Sequence, residues 1–246
     1  MRSAAIRIVD LPGDLADRAR RKRLPPASLR YAVSDTTSRR SFRRAGQCAA
    51  QAIVAAPTSF EPDAVGMVRF LDFGCGCGRV AAPLLDLCPR IALTGIDIDV
   101  RAIDWCRSNL RGDFRYADPA GMLPLPAEAF DIVYAINVFT HLDERRQLAS
   151  VAEILRVLRP GGFFIVTTCS PQLIIANGNA DEAMHESLRN RGFAFVSVRG
   201  GTRFNDDYSY QSHEYLQSAW SPGLELLRHH PFGLGNRDLA IFRRPQ

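Results

Sequence analysis

Residues 68–85, VRFLDFGCGCGRVAAPLL, restrict the fold of this chain more than any other stretch. Val68 to Phe73 are mostly apolar with β-formers, a run that reads as a short, buried parallel strand. Gly74, Gly76 and Gly78 interrupt it, and from Arg79 the apolar residues Val80, Pro83, Leu84 and Leu87 return at helical spacing. Pro83 fits that helix because it falls in the opening turns. A strand, a tight glycine turn and a helix in succession make a binding site for something small.

The pattern then alternates. Residues 90–96 read as a second strand and 99–110 as a helix with Ala102, Ile103, Cys106 and Leu110 on one face. A short strand over 113–117 and another over 130–136 precede an amphipathic helix over 143–158, which Pro160-Gly161-Gly162 is expected to end before the strand 163–168. This is the mark of a parallel sheet with helices on its faces. Past Thr168 the pattern slackens, with a helix over 181–192, a strand over 193–198, an irregular loop over 200–211, a helix over 212–220 and two final strands, 223–230 and 237–244. Residues 1–67 lack the alternation and carry Pro25-Pro26, Pro57 and Pro62, so they read as a helical cap of short helices and connectors on the core 68–246. A connection as long as 171–211 inside a compact domain is a functional loop, read here as a lid-like insertion. With 246 residues and 46% hydrophobic content, one domain with additions is expected.

The net charge of +5 and the arginine runs at 18–23 and 39–44 raise nucleic acid as a partner. Lys22 is the only lysine, so the basic character is a habit of the whole chain, and no zinc-finger or aromatic-basic RNA-binding pattern accompanies the runs. Nucleic acid is therefore disfavoured. The cysteines at 48, 75, 77, 88, 106 and 169 lack zinc-site spacing and read as reduced thiols of a cytoplasmic protein. The N-terminus has no apolar h-region, Asp10, Asp14 and Asp17 oppose a transit peptide, and no window approaches a membrane span. No metal site, membrane partner or particular oligomeric state is indicated.

Two ligands suit the turn. Gly76-x-Gly78-x-x-Ala81, with Asp97 a strand later for ribose hydroxyls, formally fits the dinucleotide fingerprint. Asp72 separates the readings, because a carboxylate there can face a cationic α-amino group but would repel a pyrophosphate. An ammonium, a ribose and no phosphates describe S-adenosylmethionine.

The sequence resembles the class I S-adenosylmethionine-dependent methyltransferases. LDFGCGCGR is similar to their first motif, TGIDID to the second, RYADPAGMLPLP to the third, FDIVYAINVFTHL to the fourth, and ILRVLRPGGFFIVTT to the helix, turn and strand that follow. The flanks LPPASLRYAV…FRRAG and YSYQSHEYLQSAW…RDLAIFRRP resemble a bacterial small-molecule subgroup in which histidine is common where Gln211 stands and glutamine where Arg237 stands. The resemblance implies a Rossmann-like α/β fold, its seven-stranded, mostly parallel sheet closed by an antiparallel last strand, with helices on both faces. It implies methyl transfer to a hydroxyl or amine of a small-molecule acceptor, leaving S-adenosylhomocysteine. In that reading Gly74, Gly76 and Gly78 let the backbone lie against the methionine portion, Asp72 holds the ammonium, and Asp97 accepts both ribose hydroxyls. Ile98 packs on the adenine face, Asp118 accepts from the adenine amino group, and Asn137 in the fourth motif is a further cofactor position. A carboxylate at a strand end can also be an N-cap, which suits Asp99 better than Asp97 and competes at Asp118. An RNA or protein methyltransferase, a nicotinamide-dependent oxidoreductase and a non-catalytic S-adenosylmethionine-binding module are the other readings.

The sulfonium is an activated electrophile, so catalysis rests on alignment in a dry pocket. A base matters for an alcohol, which must lose a proton as it attacks. Candidates are His141, just past the fourth strand, His213, and the pair Asp206 and Asp207. THLDE also reads as a helix start capped by Thr140 or Asp143 with His141 packing there, His213 also reads as a surface residue, and the Asp pair as a polar turn. Tyr31, Tyr208 and Tyr210 line the pocket or pack.

Overall fold

The computed structural model describes residues 24–56, 67–118, 122–177, 182–197, 207–220 and 222–246. Its main sheet is built from β1 (Arg69–Phe73), β2 (Ala92–Asp97), β3 (Asp113–Tyr116), β4 (Phe130–Ala135), β5 (Leu158–Thr168), β8 (Glu225–Leu234) and β9 (Arg237–Arg243), in the order β3-β2-β1-β4-β5-β9-β8. β1 to β5 pair in parallel, and β9 alone runs against its neighbours β5 and β8. The chain switches direction of travel at β1, which opens a crevice between the carboxyl ends of β1 and β4, where open α/β sheets bind ligands.

Period-two alternation along the strands sends their side chains into two separate cores. Phe70, Ile132, Tyr134, Ile165 and Ile241 face one side, packed against α2 (Arg39–Ala55), α3 (Ala81–Leu87) and α4 (Val100–Asn109). Leu71, Val133, Ala135, Phe164 and Phe242 face the other, under α5 (Glu144–Val157) and α8 (His213–Ala219). Because both faces are covered, the central strands are apolar throughout, which is why they read as continuous hydrophobic runs. Phe139, Phe164, Trp220 and Phe242 form a chain of ring contacts in the second core. In α3, Leu84 and Leu85 are buried while Leu87, expected on the inner face, is 49% exposed.

Helix α1 (Ala27–Ser34) precedes α2 and, between β5 and α8, the chain forms α6 (Pro171–Asn177), α7 (Glu182–Arg191), and a separate antiparallel pair, β6 (Phe193–Val196) and β7 (Tyr208–Gln211). Two expectations need correction. Residues 208–211, read as irregular loop, are strand β7, since Tyr208 to Gln211 pair residue for residue with Val196 to Phe193. Residues 198–206 of that stretch, including Asp206, lie outside the described residues. Pro160-Gly161-Gly162 does not stop α5. The helix ends at Val157, Leu158 already pairs with Phe130, and the Pro-Gly-Gly segment is a bulge in β5 with Gly161 at φ 75°. Burial of Leu158 drives this, since pairing beside Phe130 places its side chain in the second core.

Candidate active site at the carboxyl ends of the strands

The glycine turn follows β1 and is held from β2. Gly74 and Cys75 both donate their N–H to the Ile96 carbonyl at 2.9 Å. Gly74 has φ 77°, and a Cβ on it would lie 2.3 Å from Val138. Gly76 has φ 52°, and its Cβ would lie 2.8 Å from Val33 of α1. The glycines are therefore required first by left-handed backbone and by protein packed against them: Val138 beyond β4 on one and α1 on the other. This adds a reason for glycine beyond close approach of a ligand.

Acidic residues gather beside this turn. Asp97 ends β2, where Oδ2 accepts the Gly76 N–H at 2.6 Å and Oδ1 the Asp99 N–H at 2.8 Å. Each oxygen keeps acceptor capacity for another donor. Helix capping falls to Asp99, whose side chain accepts the Arg101 N–H. Ile98 is half-buried next to Asp97, and exposed Asp118 follows Ala117, whose N–H donates to the Asp97 carbonyl. Asn137, just past β4, has φ 61° and donates its N–H to Thr167 Oγ1 at 2.7 Å.

Asp72 is buried in β1, and Oδ2 has no hydrogen-bond partner. Burial pushes its carboxyl up to about 7; the Tyr134 hydroxyl opposes this, nearby Asp97 adds to it, and Arg79 opposes it. The Tyr134 hydroxyl lies near enough to act electrostatically but closes no hydrogen bond of ordinary geometry. Arg79, immediately after the turn, is itself buried with Nε unpartnered, and burial lowers its pKa. Burial also raises Asp97. Two carboxyls strained toward neutrality beside one turn suit a cationic ligand with hydroxyls.

A second group lies beyond β4. His141 closes a 3-10 turn (Phe139–His141), and Nδ1 lies 2.8 Å from the Asp207 carbonyl. A carbonyl only accepts, so Nδ1 carries the proton and the neutral ring keeps its lone pair on Nε2. Burial holds the pKa of His141 below its ordinary value; the Asp207 carbonyl opposes this, Arg237 reinforces it, and the Asp35 and Asp207 carboxylates oppose it. The ring packs on Tyr208, with centroids 5.3 Å apart. Buried Gln147 fixes this turn by donating from Nε2 to the Phe139 carbonyl at 2.7 Å, the Leu142 carbonyl at 3.2 Å and Ser209 Oγ at 2.8 Å. Ser209 Oγ donates to the same Phe139 carbonyl, and Gln211 Nε2 donates to Ser209 Oγ. A polar network inside the second core thus couples β7 to the turn that carries His141.

His213 is in a different cluster. Its ring stacks on His229, with Nδ1 atoms 3.1 Å apart, and His229 Nε2 pairs with buried Asp238 at 3.1 Å. Among the described residues no group of three or more His, Cys, Asp or Glu side chains could hold a metal ion. Arg79, Gln147 and the contact of Arg237 with Tyr208 escaped the reading of the sequence; a cation directly behind the glycine turn was the one available signal.

Residues 71–166, which contain the turn, Asp97 and His141, match the methyltransferase domain family. The chain is 33% identical over 181 residues to a fatty-acid O-methyltransferase of Mycolicibacterium smegmatis, covering 72% of this chain and 61% of that protein. It is 38% identical over 99 residues to a probable S-adenosylmethionine-dependent methyltransferase of the same organism, covering 40% and 37%. Residues 71–166 form a class I S-adenosylmethionine-dependent methyltransferase domain. The chain spans about three fifths of the length of the first of these relatives and less than two fifths of the second. A crystal structure of a Pyrococcus horikoshii protein superposes on this methyltransferase with a TM-score of 0.63 at 15% identity, covering 88% of this chain and 96% of that one, so the likeness is one of fold. S-adenosylmethionine is the cofactor of the family, and the unpartnered Asp72 carboxyl and the free acceptor capacity of Asp97 fit its ammonium and ribose. Among the described residues no helix is long and apolar enough to cross a membrane.

Proposed function

We propose that this chain transfers a methyl group from S-adenosylmethionine to an oxygen of a small-molecule acceptor. The observation that carries the reading is the pair Asp72 and Asp97 at the glycine turn, which suits an ammonium and a ribose and opposes the phosphates of a nicotinamide cofactor. Asp72 takes the ammonium, Asp97 the ribose hydroxyls, Ile98 one adenine face and Asp118 the adenine amino group; Gly74, Gly76 and Gly78 carry the turn, and Asn137 borders it. The donor supplies an activated methyl group. The chain's own residues do the aligning and exclude water. Likeness to a fatty-acid O-methyltransferase supports oxygen over nitrogen as the acceptor atom.

The acceptor lies on the His141 side, between the turn after β4 and the insertion 171–211, in which Asp207 and the first residue of β7, Tyr208, touch His141. That insertion acts as a lid, and 1–67 as the cap behind the turn. His141, neutral with its lone pair on Nε2, accepts a hydrogen bond from the acceptor or orients it, and His213 stands apart from the chemistry. All six cysteines are free, which suits a reducing cytoplasm, and we read the arginine runs as solvated surface in place of a nucleic-acid site.

Titration calorimetry with S-adenosylmethionine, S-adenosylhomocysteine and reduced nicotinamide dinucleotide tests the cofactor. Binding of the first two without the third is expected, followed by S-adenosylhomocysteine formation with an acceptor panel. Binding of the dinucleotide alone would overturn the reading.

A further inference from the structure

Among the described residues, Arg237 is the cation whose charge acts on His141. It opens β9, and because β9 runs against β5, with Asp238 opposite Thr168, it stands at the carboxyl ends of the parallel strands. Its guanidinium lies over the Tyr208 ring, 5.9 Å from the centroid, and Tyr208 in turn packs on His141. The Arg237 Nε atom is buried with no hydrogen-bond partner. The side chain's one hydrogen bond runs from Nη1 to the neighbouring Asn236 carbonyl at 3.4 Å.

Other arginines of the chain, such as Arg69, Arg156 and Arg243, hold a carboxylate at 3.1 Å or less. Arg237 has no such partner among the described residues. Asp238 beside it is already engaged, by His229 Nε2 at 3.1 Å and by the Phe232 N–H at 2.9 Å. The Asp35 and Asp207 carboxylates act on His141 in the opposite sense to Arg237. A guanidinium whose Nε is buried and unmatched is costly, and its planar fork fits a carboxylate in two parallel hydrogen bonds.

We propose that Arg237 binds the carboxylate of the acceptor and that this carboxylate is the methylated group, so that the product is a methyl ester. The inference rests on the proposed methyl transfer and names its substrate class. A carboxylate oxygen donates an electron pair to the methyl carbon, and the carbon–sulfur bond of the donor breaks with its pair left on sulfur. S-adenosylhomocysteine and the ester result. No proton moves, because the acid is already ionised near neutral pH; His141, with its Nδ1–H held by the Asp207 carbonyl, makes no hydrogen bond to that carboxylate and acts as a positioning residue through its packing with Tyr208.

The test compares decanoate, decan-1-ol and decyl phosphate. Decanoate binding is first measured by calorimetry on the protein with and without S-adenosylhomocysteine, which examines Arg237 even if methyl transfer fails. Decanoate is expected to bind, and Arg237→Gln to weaken it about 10- to 100-fold, the range for losing a hydrogen-bonded charge contact. Arg237→Lys should recover part of the loss, since it restores the charge without the fork. In turnover, methyl decanoate should form from the acid while the alcohol stays unmodified. Arg237→Gln should raise the KM for decanoate by a similar factor with S-adenosylmethionine affinity intact. Equal decanoate binding by Arg237→Gln and wild type, preference for decyl phosphate, or methylation of decan-1-ol in place of decanoate would each overturn the proposal. Failure of wild-type protein to bind S-adenosylmethionine would instead overturn the methyl-transfer reading.

Discussion

The Asp97 carboxylate accepts the backbone N–H of Gly76 at 2.6 Å, so the end of β2 and the turn after β1 are joined through one side chain. The same carboxylate is the proposed acceptor for the ribose hydroxyls, and its loss should have two effects. Asp97→Ala should weaken S-adenosylmethionine binding by about 1.5–3 kcal/mol, roughly ten- to a hundred-fold. It should also lower unfolding stability by about 1–3 kcal/mol, because the Gly76 and Asp99 N–H groups lose their acceptor. Calorimetry on folded mutant protein reads the first, and denaturant melts the second. Unchanged affinity would remove Asp97 from the cofactor site.

Asp72 predicts a pH dependence. Its folded pKa of about 7 lies above the ordinary 3.8, so on raising the pH through this window the unfolded chain ionises while the folded chain keeps its proton. Stability of the ligand-free protein should therefore fall between those two pH values and level off above the higher one, and Asp72→Asn should flatten the slope. A bound ammonium favours the carboxylate, so S-adenosylmethionine should expel a proton near about pH 6 and bind more tightly as the pH rises. Calorimetry in buffers of different ionisation enthalpy measures that proton. Heats independent of buffer would contradict the assignment.

His141 should titrate below its ordinary value of 6.5, since burial dominates and Arg237 adds to it. In Arg237→Gln the pKa should move up, a shift observable by nuclear magnetic resonance of the ring. With an acid as acceptor and S-adenosylmethionine saturating, the rate should show no rising limb above the ordinary histidine value of 6.5, because the acceptor is already ionised and the ring neutral there. A rate limb that disappears in His141→Ala would make the ring a base and the acceptor an alcohol.

Gln147 makes a prediction that separates positioning from binding. Gln147→Leu leaves the Leu142 carbonyl without this donor and breaks the link to Ser209, at a cost of about 1–3 kcal/mol. Since the turn it anchors carries His141 and not Asp97, kcat should fall while S-adenosylmethionine affinity holds. Equal losses in both would show that the network only supports the fold.

The glycine turn and the strands around it were legible because their signals are local. Buried parallel strands are apolar runs, the turn needs glycine at left-handed positions, and Asp97 lies a fixed distance along the same alternation. Strand β7 was not legible for the opposite reason. Tyr208-Ser209-Tyr210-Gln211 has a polar alternate register, and Ser209 and Gln211 are buried by hydrogen bonding to Gln147 and to Cys169, which no hydrophobic pattern reports. The Pro-Gly-Gly segment misled because turn chemistry also serves a bulge, and pairing of Leu158 with Phe130 decided between them. Arg237 was visible as a residue, but its place beside Tyr208 and His141 depends on the direction of β9.

That reversed strand has a consequence for how such a chain can diverge. The residues assigned to the methyl donor fall between Asp72 and Asn137, one uninterrupted stretch, whereas His141, Tyr208 and Arg237 come from three separate ones. By doubling back, β9 delivers a side chain from the tail of the sequence to a site assembled near its middle. On the proposed reading, substitutions at position 237 would retune what is methylated while the donor half stays as it is, so selectivity and donor use would form two inheritable modules on separate parts of the chain.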